Sequence, residues 1–424
     1  MFISKKIAWH NPLNLVQKVL TNYQQNLVFL YSGLWQQIAN SKSFLALFPL
    51  EKMKLENFSQ LDTVLQNNQK TWFGYFSYEN ISDLENISFA NNFHIKTPAF
   101  VWQNFGLVLE FNHSNNTLLA KYQHQKYLDF ILECCKKDLP STLQHLPKAQ
   151  NITANLNQEQ YLQAILDIQQ KISAGDLFQT NLTQKFSGLL NENINHSSAF
   201  SLFAKLMQIS PANYASFAVF DETFIVSASP ELFLQAKNKQ ILTKPIKGTI
   251  ASKDNQHQDL EQQKILQNSN KDKAENLMIT DLMRNDLAKV CVPKSVEVPK
   301  LFELQSYKNL HHLVSSVVGK LAKKYNYGNL IKACFPPGSM TGAPKLEAIK
   351  VAHQHEQQHR GIYSGCLGFI AKNQLNLSVV IRTLILQQNK FEFQAGGGIT
   401  SASDPLQEVL EVKVKSSALT TLLS

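Results

Sequence analysis

Strand-like and helix-like segments cluster along this chain of 424 residues instead of alternating. The alternation of apolar and polar residues typical of strands covers 215–250 and recurs through 362–396, whereas 259–290 and 404–422 have the apolar spacing of helices. Clustered elements favour antiparallel sheets, because parallel strands need a helix or another long crossover between them. The sequence therefore predicts an α+β fold.

Three regions of different composition divide the chain. Residues 1–135 mix short strand-like runs with polar breaks, and 136–157 form a polar, proline-containing and Asn-rich tract that we interpret as a connector. Residues 158–424 contain the candidate functional groups. Asn157 and Gln160 have the spacing of a capping box, which predicts that a helix begins directly after the connector.

Composition and charge narrow the classes of function. Hydrophobic residues make up 44% of the chain and charged residues 17%, a balance typical of a globular protein. The net charge is +9, but the lysines are scattered, so we expect neither a nucleic acid nor a membrane as partner. The five cysteines lack C-x-x-C spacing, which favours reduced thiols in the cytoplasm. We expect no signal peptide or membrane span.

Lys247 and Glu231 lie in two strand-like runs that flank a turn at 237–239. If the turn has three residues, Ala236 faces Gln240, and the acid and the amine share a sheet face about 7–8 Å apart at the backbone. A two-residue turn would put them on opposite faces, because side chains alternate along a strand. An acid and an amine at that separation fit around a small ring, while a pair of exposed charges is the simpler alternative.

Two predicted helices carry carboxylates on stripes that also contain apolar residues. Glu275 shares its stripe with Ile279, and Glu408, Glu411 and Lys415 share one in the last helix. A buried carboxylate requires a cation or a metal. Oxygen ligands from few residues suit Mg²⁺. A buried ion pair, such as Glu411 with Lys415, is an equally good interpretation.

Two glycine-rich segments predict contacts with an anion. Residues 338–345 place glycines and hydroxyls before a helix, where free N–H groups bind anions, although the spacing is not that of a Walker A loop. Residues 396–398 are three glycines after a strand, which allow a backbone to approach a ligand closely. Together with Arg382, a metal and a lysine, these segments fit a small dicarboxylate. His312 taken alone is more typical of a core histidine.

These motifs together resemble the chorismate-utilising enzyme family. The matching segments are 175–182, 229–231, 245–249, 274–278, 284–286, 311–315, 335–345, 380–383 and 395–399. They occur in the right order through 151–424, and the resemblance extends more loosely over the N-terminal third. It implies two antiparallel β-sheets packed face to face with helices outside. The active site would lie in a cleft between two subdomains, with 1–135 contributing to the sandwich and 158–424 binding chorismate.

Two residues separate the branches of this family. Anthranilate-forming members carry alanine where Lys247 stands, and isochorismate- and salicylate-forming members carry lysine where Gln179 stands. The resemblance therefore implies the branch that uses ammonia to form 4-amino-4-deoxychorismate, for 4-aminobenzoate and folate. It implies that Lys247 attacks C2 of chorismate while Glu231 protonates the departing C4 hydroxyl. An anthranilate-forming enzyme and a catalytically silent relative are the alternatives.

The resemblance also assigns roles to further residues and to partners. Glu275 and Glu411 would be Mg²⁺ ligands, with Glu408 beside them. The groups implied to hold the substrate are Thr249, His312, Thr341, Tyr363, Arg382, Gly396, Gly397, Gly398 and Lys415. The chain shows no glutaminase motif, so ammonia is expected from a separate glutamine amidotransferase subunit in a heterodimer. Val412 and Ala288 depart from the family pattern without removing a charge.

Overall fold

The computed structural model describes residues 2–33, 41–89, 92–139, 146–253, 255–307 and 310–424. The strands in this part of the chain are β1 (Ile3–Ile7), β2 (Leu27–Tyr31), β3 (Lys42–Lys52), β4 (Trp72–Phe76), β5 (Phe100–Asn112), β6 (Thr117–Tyr122), β7 (Thr153–Ala154), β8 (Gln179–Leu189), β9 (Tyr214–Phe220), β10 (Thr223–Ser229), β11 (Leu232–Lys237), β12 (Gln240–Lys244), β13 (Ile246–Ala251), β14 (Glu297–Ser306), β15 (Leu310–Lys320), β16 (Gly342–Ala343), β17 (Cys366–Ala371), β18 (Gln374–Val379), β19 (Thr383–Gln387) and β20 (Lys390–Ile399).

Helices connect these strands and pack against them. The α-helices are α1 (Pro12–Leu20), α2 (Leu61–Leu65), α3 (Gln125–Lys136), α4 (Gln158–Ser173), α5 (His196–Ile209), α6 (Gln256–Asn268), α7 (Asn270–Ala288), α8 (Tyr327–Cys334), α9 (Lys345–Glu356) and α10 (Pro405–Leu423). Short 3-10 helices are Phe58–Gln60, Tyr78–Asp83 and Gly338–Met340. In α4, the capping box of Asn157 and Gln160 is present, which confirms the predicted start of that helix.

The strands pair antiparallel in two arms. In the first arm the order is β1-β6-β5-β3-β2-β9-β10-β19-β20-β8, with the short β7 and β16 along β8. In the second arm the order is β4-β17-β18-β11-β12-β15, and β13 and β14 also pair with β15. The antiparallel α+β prediction is confirmed.

Strand β5 joins the two arms. Its first half pairs with β4 and its second half with β6, while β3 pairs along its other edge. Hydrogen bonds therefore connect all these strands into one large sheet. One core cluster combines apolar residues of both arms, among them Val28, Ala218, Tyr75 and Phe369. The arrangement as two sheets packed face to face stays a prediction, as do the three regions 1–135, 136–157 and 158–424, and 140–145 of the connector lie outside the described residues.

The hairpin of β11 and β12 corrects the predicted turn. Lys237 faces Gln240, so the loop has two residues rather than three. Both loop residues, Asn238 and Lys239, have positive φ (50° and 68°), as a type I′ turn requires. A bulge between Leu232 and Gln235 then shifts the register by one residue. The predicted pairing is therefore wrong at the turn and is recovered beyond the bulge.

Two segments that the sequence presents as continuous are interrupted. The helical stretch 259–290 is two helices, because Ser269 ends α6 and caps α7 by accepting a hydrogen bond from the Asp272 amide. The strand-like run 375–387 breaks between β18 and β19, where Arg382 has a positive φ of 50°. The spacing of apolar residues did not reveal either break, because the segments before and after each break have the same apolar pattern.

The five cysteines are free thiols. Of the helices in the described ranges, none combines the length and the apolar character needed to cross a membrane.

The type I′ turn makes a prediction about stability. Lys239→Gly should raise the free energy of unfolding by about 0.5 kcal/mol, because glycine adopts a positive φ without steric cost. The gain is the net after loss of the exposed hydrogen bond from the Lys239 side chain to the Lys323 carbonyl. Lys237→Gly, at the last residue of β11, should lower the free energy of unfolding. Urea denaturation of both variants measures this, and equal destabilisation by both would contradict the turn assignment.

Candidate active site

A cavity of about 740 Å³ contains most of the predicted site residues on its wall. Those residues are Glu231, Lys247, Thr249, Glu275, His312, Tyr363, Arg382, Gly396, Gly398, Glu411 and Lys415. In the described part of the chain, the lining begins at Asn181 and ends at Thr421. The residues that the sequence singled out thus converge from β13, β15, β20, α7 and α10.

Lys247 and Glu231 face the cavity from two neighbouring segments. Glu231 directly precedes β11, and its carboxylate accepts a hydrogen bond of 3.5 Å from the amide of Ile246, the residue before Lys247. The Val379 amide donates to the Glu231 carbonyl at 3.1 Å, which attaches this corner to β18. In the described residues, the Lys247 ammonium has no ion-pair partner within 4.0 Å. A half-buried free amine beside an acid is suited to nucleophilic chemistry.

The carboxyl of Glu231 is almost completely buried. Burial raises its pKa to about 7, against the opposing effects of a hydrogen bond from Ser339 and the charge of Lys247. A carboxyl that titrates near neutrality can give up a proton and take it back at physiological pH. The environment therefore favours Glu231 as a general acid.

Thr249 and His312 form a polar pair on the same wall. The Thr249 hydroxyl lies 2.8 Å from Nδ1 of His312, across the pairing of β13 with β15. Burial, with a contribution from the charge of Arg382, lowers the pKa of His312 to about 3. The imidazole is consequently neutral at pH 7, and it can donate or accept a hydrogen bond but carries no charge.

Arg382 places a cation in the cavity where the chain turns between β18 and β19. Its backbone has φ 50°, a conformation that is unfavourable for a non-glycine residue, and the Ala228 amide donates to its carbonyl at 3.0 Å. Burial lowers the pKa of its guanidinium. No carboxylate of the described chain lies within 4.0 Å of Arg382. A desolvated guanidinium without a partner is suited to bind a carboxylate of a ligand.

The three glycines 396–398 lie within β20, not after it as predicted, and they pair with β8. A Cβ atom on Gly396 would lie 2.2 Å from the Leu182 carbonyl, and one on Gly398 would lie 2.0 Å from the Gln179 amide nitrogen. The contact at Gly396 is with backbone, so only glycine fits there, whereas a side chain at Gly398 would require the end of the Gln179 side chain to move.

The carboxylates of α7 and α10 converge around these glycines. A Cβ atom on Gly397 would lie 2.6 Å from Oε2 of Glu408 and 4.0 Å from Oε1 of Glu411. A Cβ atom on Gly398 would lie 3.4 Å from Oε2 of Glu275. Glu275, Glu408 and Glu411 therefore form one acid cluster against a glycine backbone.

Two lysines partly neutralise this cluster of three carboxylates. Lys271 lies 2.9 Å from Oε1 of Glu408 and 4.0 Å from Oε1 of Glu275. Lys415 lies 2.6 Å from Oε1 of Glu411, which holds the pKa of that carboxyl below its usual range although burial acts to raise it. Burial raises the pKa of Glu275. The predicted pair of Glu411 with Lys415 is therefore present.

The acid cluster fits a divalent metal by its donors but is not arranged around one. Its donor set consists of carboxylate oxygens, the ligands that Mg²⁺ prefers. Oε2 of Glu408 is buried and has no hydrogen-bond partner within the described chain, so one lone pair is available. Within the same ranges, no three His, Cys, Asp or Glu side chains form a ready ligand group. In this structure, Lys271 contacts Glu408 and Glu275, and Lys415 contacts Glu411.

Three predicted site residues lie next to the cavity without lining it, namely Gly397, Glu408 and Thr341. Glu408 is 1% exposed and lies behind the glycine backbone, where Ser403 donates to its Oε1 at 2.8 Å. Thr341 is buried, and its hydroxyl donates to the Gly338 carbonyl at 3.1 Å within its own loop. The Thr341 hydroxyl is therefore engaged within the 3-10 turn that precedes it.

Sequence reasoning missed several groups near the site. Ser339 bonds to Glu231, and Lys271 neutralises the acid cluster. The spacing of Lys271 four residues before Glu275 was a visible signal for an ion pair. Arg360 was not noticed, yet its buried guanidinium donates to the carbonyls of Met340 and Asn181 at 2.7 Å each and so connects the 3-10 turn to β8.

The chain is similar to known proteins along most of its length. The model of the family described as chorismate binding enzyme matches residues 22–421. Aminodeoxychorismate synthase component 1 of Klebsiella aerogenes is 38% identical over 259 residues, 61% of this chain and 56% of that protein. Anthranilate synthase component 1 of Saccharolobus solfataricus is 36% identical over 270 residues, 63% of each. The matches thus span less than two thirds of both relatives.

A solved structure has the same overall fold. Anthranilate synthase component I from Streptococcus pneumoniae superposes with a TM-score of 0.79 and 26% sequence identity, over 91% of this chain and 93% of that one. The mixed architecture with a large antiparallel sheet is therefore shared with a chain of nearly the same extent.

The burial of Glu231 predicts a pH-dependent stability. Its pKa is about 7 in the folded chain and about 4.5 when unfolded, so the folded state binds the proton more tightly. The free energy of unfolding should therefore fall as pH rises from about 4.5 to 7, by up to about 3 kcal/mol. The Glu231→Gln variant has no carboxyl at this position and should not show this decrease. Its free energy of unfolding, compared with that of the unmodified protein at the same pH, should therefore increase between pH 5 and pH 8.

Urea denaturation at the two pH values measures the difference, with Glu222→Gln as the matched control because Glu222 is exposed. A constant difference between Glu231→Gln and the unmodified protein across this pH range would show that Glu231 ionises normally.

Proposed function

The chain belongs to the family of chorismate-binding enzymes, and we propose that it aminates chorismate at C4 to form 4-amino-4-deoxychorismate. The observation that carries this proposal is Lys247, whose free amine faces the cavity beside the buried acid Glu231. The family resemblance associates lysine at this position with the 4-amino product and alanine with anthranilate. Gln179, where water-using members carry lysine, supports ammonia as the nucleophile.

The first step of the proposed reaction joins the enzyme to the ring. The nitrogen of Lys247 forms a bond to C2 of chorismate, the ring double bonds shift, and the C4 hydroxyl departs. Glu231 donates its proton to that oxygen, so water leaves instead of hydroxide. The raised pKa of Glu231 keeps the proton available near neutral pH. The covalent bond divides a difficult displacement into two easier ones.

The second step reverses the first with ammonia as the incoming group. Ammonia forms a bond to C4, the double bonds shift back, and the C2–N bond to Lys247 breaks. Glu231, now a carboxylate, takes a proton from the incoming nitrogen, and the lysine amine is released. The sum is chorismate plus ammonia giving 4-amino-4-deoxychorismate plus water.

The substrate carboxylates find cationic and amide groups on the cavity wall. Arg382 is the unpaired guanidinium, and Lys415 donates at 2.9 Å to the Gly396 carbonyl beside the acid cluster. Thr249 and the neutral His312 offer hydrogen bonds near the ring. These contacts would hold the ring between Lys247 and Glu231. Such positioning of the reacting groups supplies a large part of the rate acceleration.

Mg²⁺ is the proposed cofactor. Glu275 and Glu411 would bind it directly, with Glu408 beside them and its free Oε2 as a further oxygen. When bound, the ion supplies a positive charge that offsets the charge of the ring carboxylate.

The proposed source of ammonia is a separate glutamine amidotransferase subunit. This partner is implied by the family resemblance. The product would pass to a lyase that releases 4-aminobenzoate, a precursor of folate.

A product assay tests the branch of the reaction. Purified protein with chorismate, Mg²⁺ and an ammonium salt should yield 4-amino-4-deoxychorismate, detected by chromatography and mass spectrometry. Fluorescent anthranilate as the product would overturn the assignment to the 4-amino branch.

The covalent step predicts the behaviour of Lys247→Ala. We expect this variant to keep its unfolding midpoint and to lose activity by a factor on the order of 10³, because no nucleophile remains. With chorismate and no ammonia, the unmodified protein should gain the mass of chorismate less one water, and Lys247→Ala should not. Lys244→Ala, in the adjacent β12, is the control and should behave as the unmodified protein. An unaffected rate in Lys247→Ala would exclude the covalent mechanism.

A further inference from the structure

Lys271 is a charged residue at the site to which the proposed reaction gives no role. It lies in the first turn of α7, one helical turn before Glu275, and it lines the cavity. Its ammonium is 2.9 Å from Oε1 of Glu408 on α10 and 4.0 Å from Oε1 of Glu275. One lysine therefore bridges the two helices that carry the acid cluster.

The acid cluster needs a cation in this position. Glu408 is 1% exposed, and a buried carboxylate without a counter-charge destabilises the folded state. Within the described ranges, the only cation within 4.0 Å of Glu408 is Lys271. Ser403 supplies the remaining hydrogen bond to Oε1, and Oε2 has none. Lys271 thus pairs with Oε1 of Glu408, whereas Oε2 has no hydrogen-bond partner in the described chain.

Lys271 differs from the second lysine of the cluster in how firmly it is held. Lys415 bonds to Glu411 at 2.6 Å and also donates to the Gly396 carbonyl at 2.9 Å, so β20 fixes its position. Lys271 bonds to carboxylates alone, and 39% of its side chain is exposed. A flexible four-carbon chain that reaches solvent can leave without breaking a backbone hydrogen bond.

We propose that Lys271 is a placeholder cation that holds Glu408 and Glu275 together in the metal-free protein and is displaced when a divalent cation binds. The contacts of Lys271 with Glu408 at 2.9 Å and with Glu275 at 4.0 Å support this proposal, since a cation that bridges two carboxylates holds the place that a metal would take. The helices α7 and α10 are then preassembled before the metal arrives, and metal affinity is reduced by the free energy of the ion pair that must break. This inference rests on the proposed metal site but not on the identity of the product.

Lys271→Met tests the displacement, because methionine keeps the length of the side chain and removes the charge. Mn²⁺ replaces Mg²⁺ at oxygen sites, and its EPR signal reports free metal, so it measures affinity without chorismate. Lys271→Met should bind Mn²⁺ about fivefold more tightly, the factor that corresponds to an ion pair of about 1 kcal/mol. Lys273→Met, with the same charge change on the same helix, should leave the affinity unchanged.

Thermal unfolding provides the second measurement. In EDTA, Lys271→Met should unfold at a lower temperature than the unmodified protein and Lys273→Met, and saturating MgCl₂ should remove the difference. Lys271→Arg keeps the charge and should retain both the stability in EDTA and the weaker Mn²⁺ affinity.

Equal or weaker Mn²⁺ binding by Lys271→Met, or no binding by any variant, would overturn the proposal. Anthranilate as the reaction product would refute the proposed amination and leave this inference standing, so the two failures are distinguishable.

Discussion

The uninterrupted pairing of β20 with β8 is the constraint on which the site depends. Ten residue pairs join these strands, and β20 carries three glycines before Ile399, the first of which has the Leu182 carbonyl where a Cβ would be. The missing side chains let α10 approach so closely that Glu408 and Glu411 meet Glu275 of α7 across the backbone. A methyl group at Gly397 would lie 2.6 Å from Oε2 of Glu408, so the carboxylate of Glu408 would have to move.

The charge balance of the cavity follows from this close approach. Glu231 and Glu411 are the same residue type, yet burial raises the pKa of Glu231 to about 7, whereas Lys415 holds that of Glu411 below its usual range. The two carboxyls differ in burial and in pairing, since Glu231 is 4% exposed, whereas the Glu411 side chain is 42% exposed and forms a direct ion pair with Lys415. Glu231 is therefore suited to carry a proton and Glu411 to remain charged beside a cation.

Residues close in sequence were predicted well, and contacts between distant segments were not. The capping box at Asn157 was confirmed, because a cap needs only its own helix. The turn after β11 was assigned three residues instead of two, and the bulge that restores the register was invisible, since alternation does not specify which residue is left unpaired. Ser339 and Lys271 were missed as partners of Glu231 and Glu408 because each pair joins residues more than a hundred positions apart.

The sequence by itself determined which chemical groups are available: the lysine at 247, the carboxylates on two helices, the glycines 396–398 and the antiparallel class of the fold. These depend on residue type and local spacing, which physical chemistry translates directly into propensity and reactivity. Only the tertiary structure decided that Glu231 is buried, that Thr341 bonds within its own loop, and that Lys271 lies between two carboxylates. Burial and ion pairing are properties of surroundings assembled from many segments, so no single stretch of the chain specifies them.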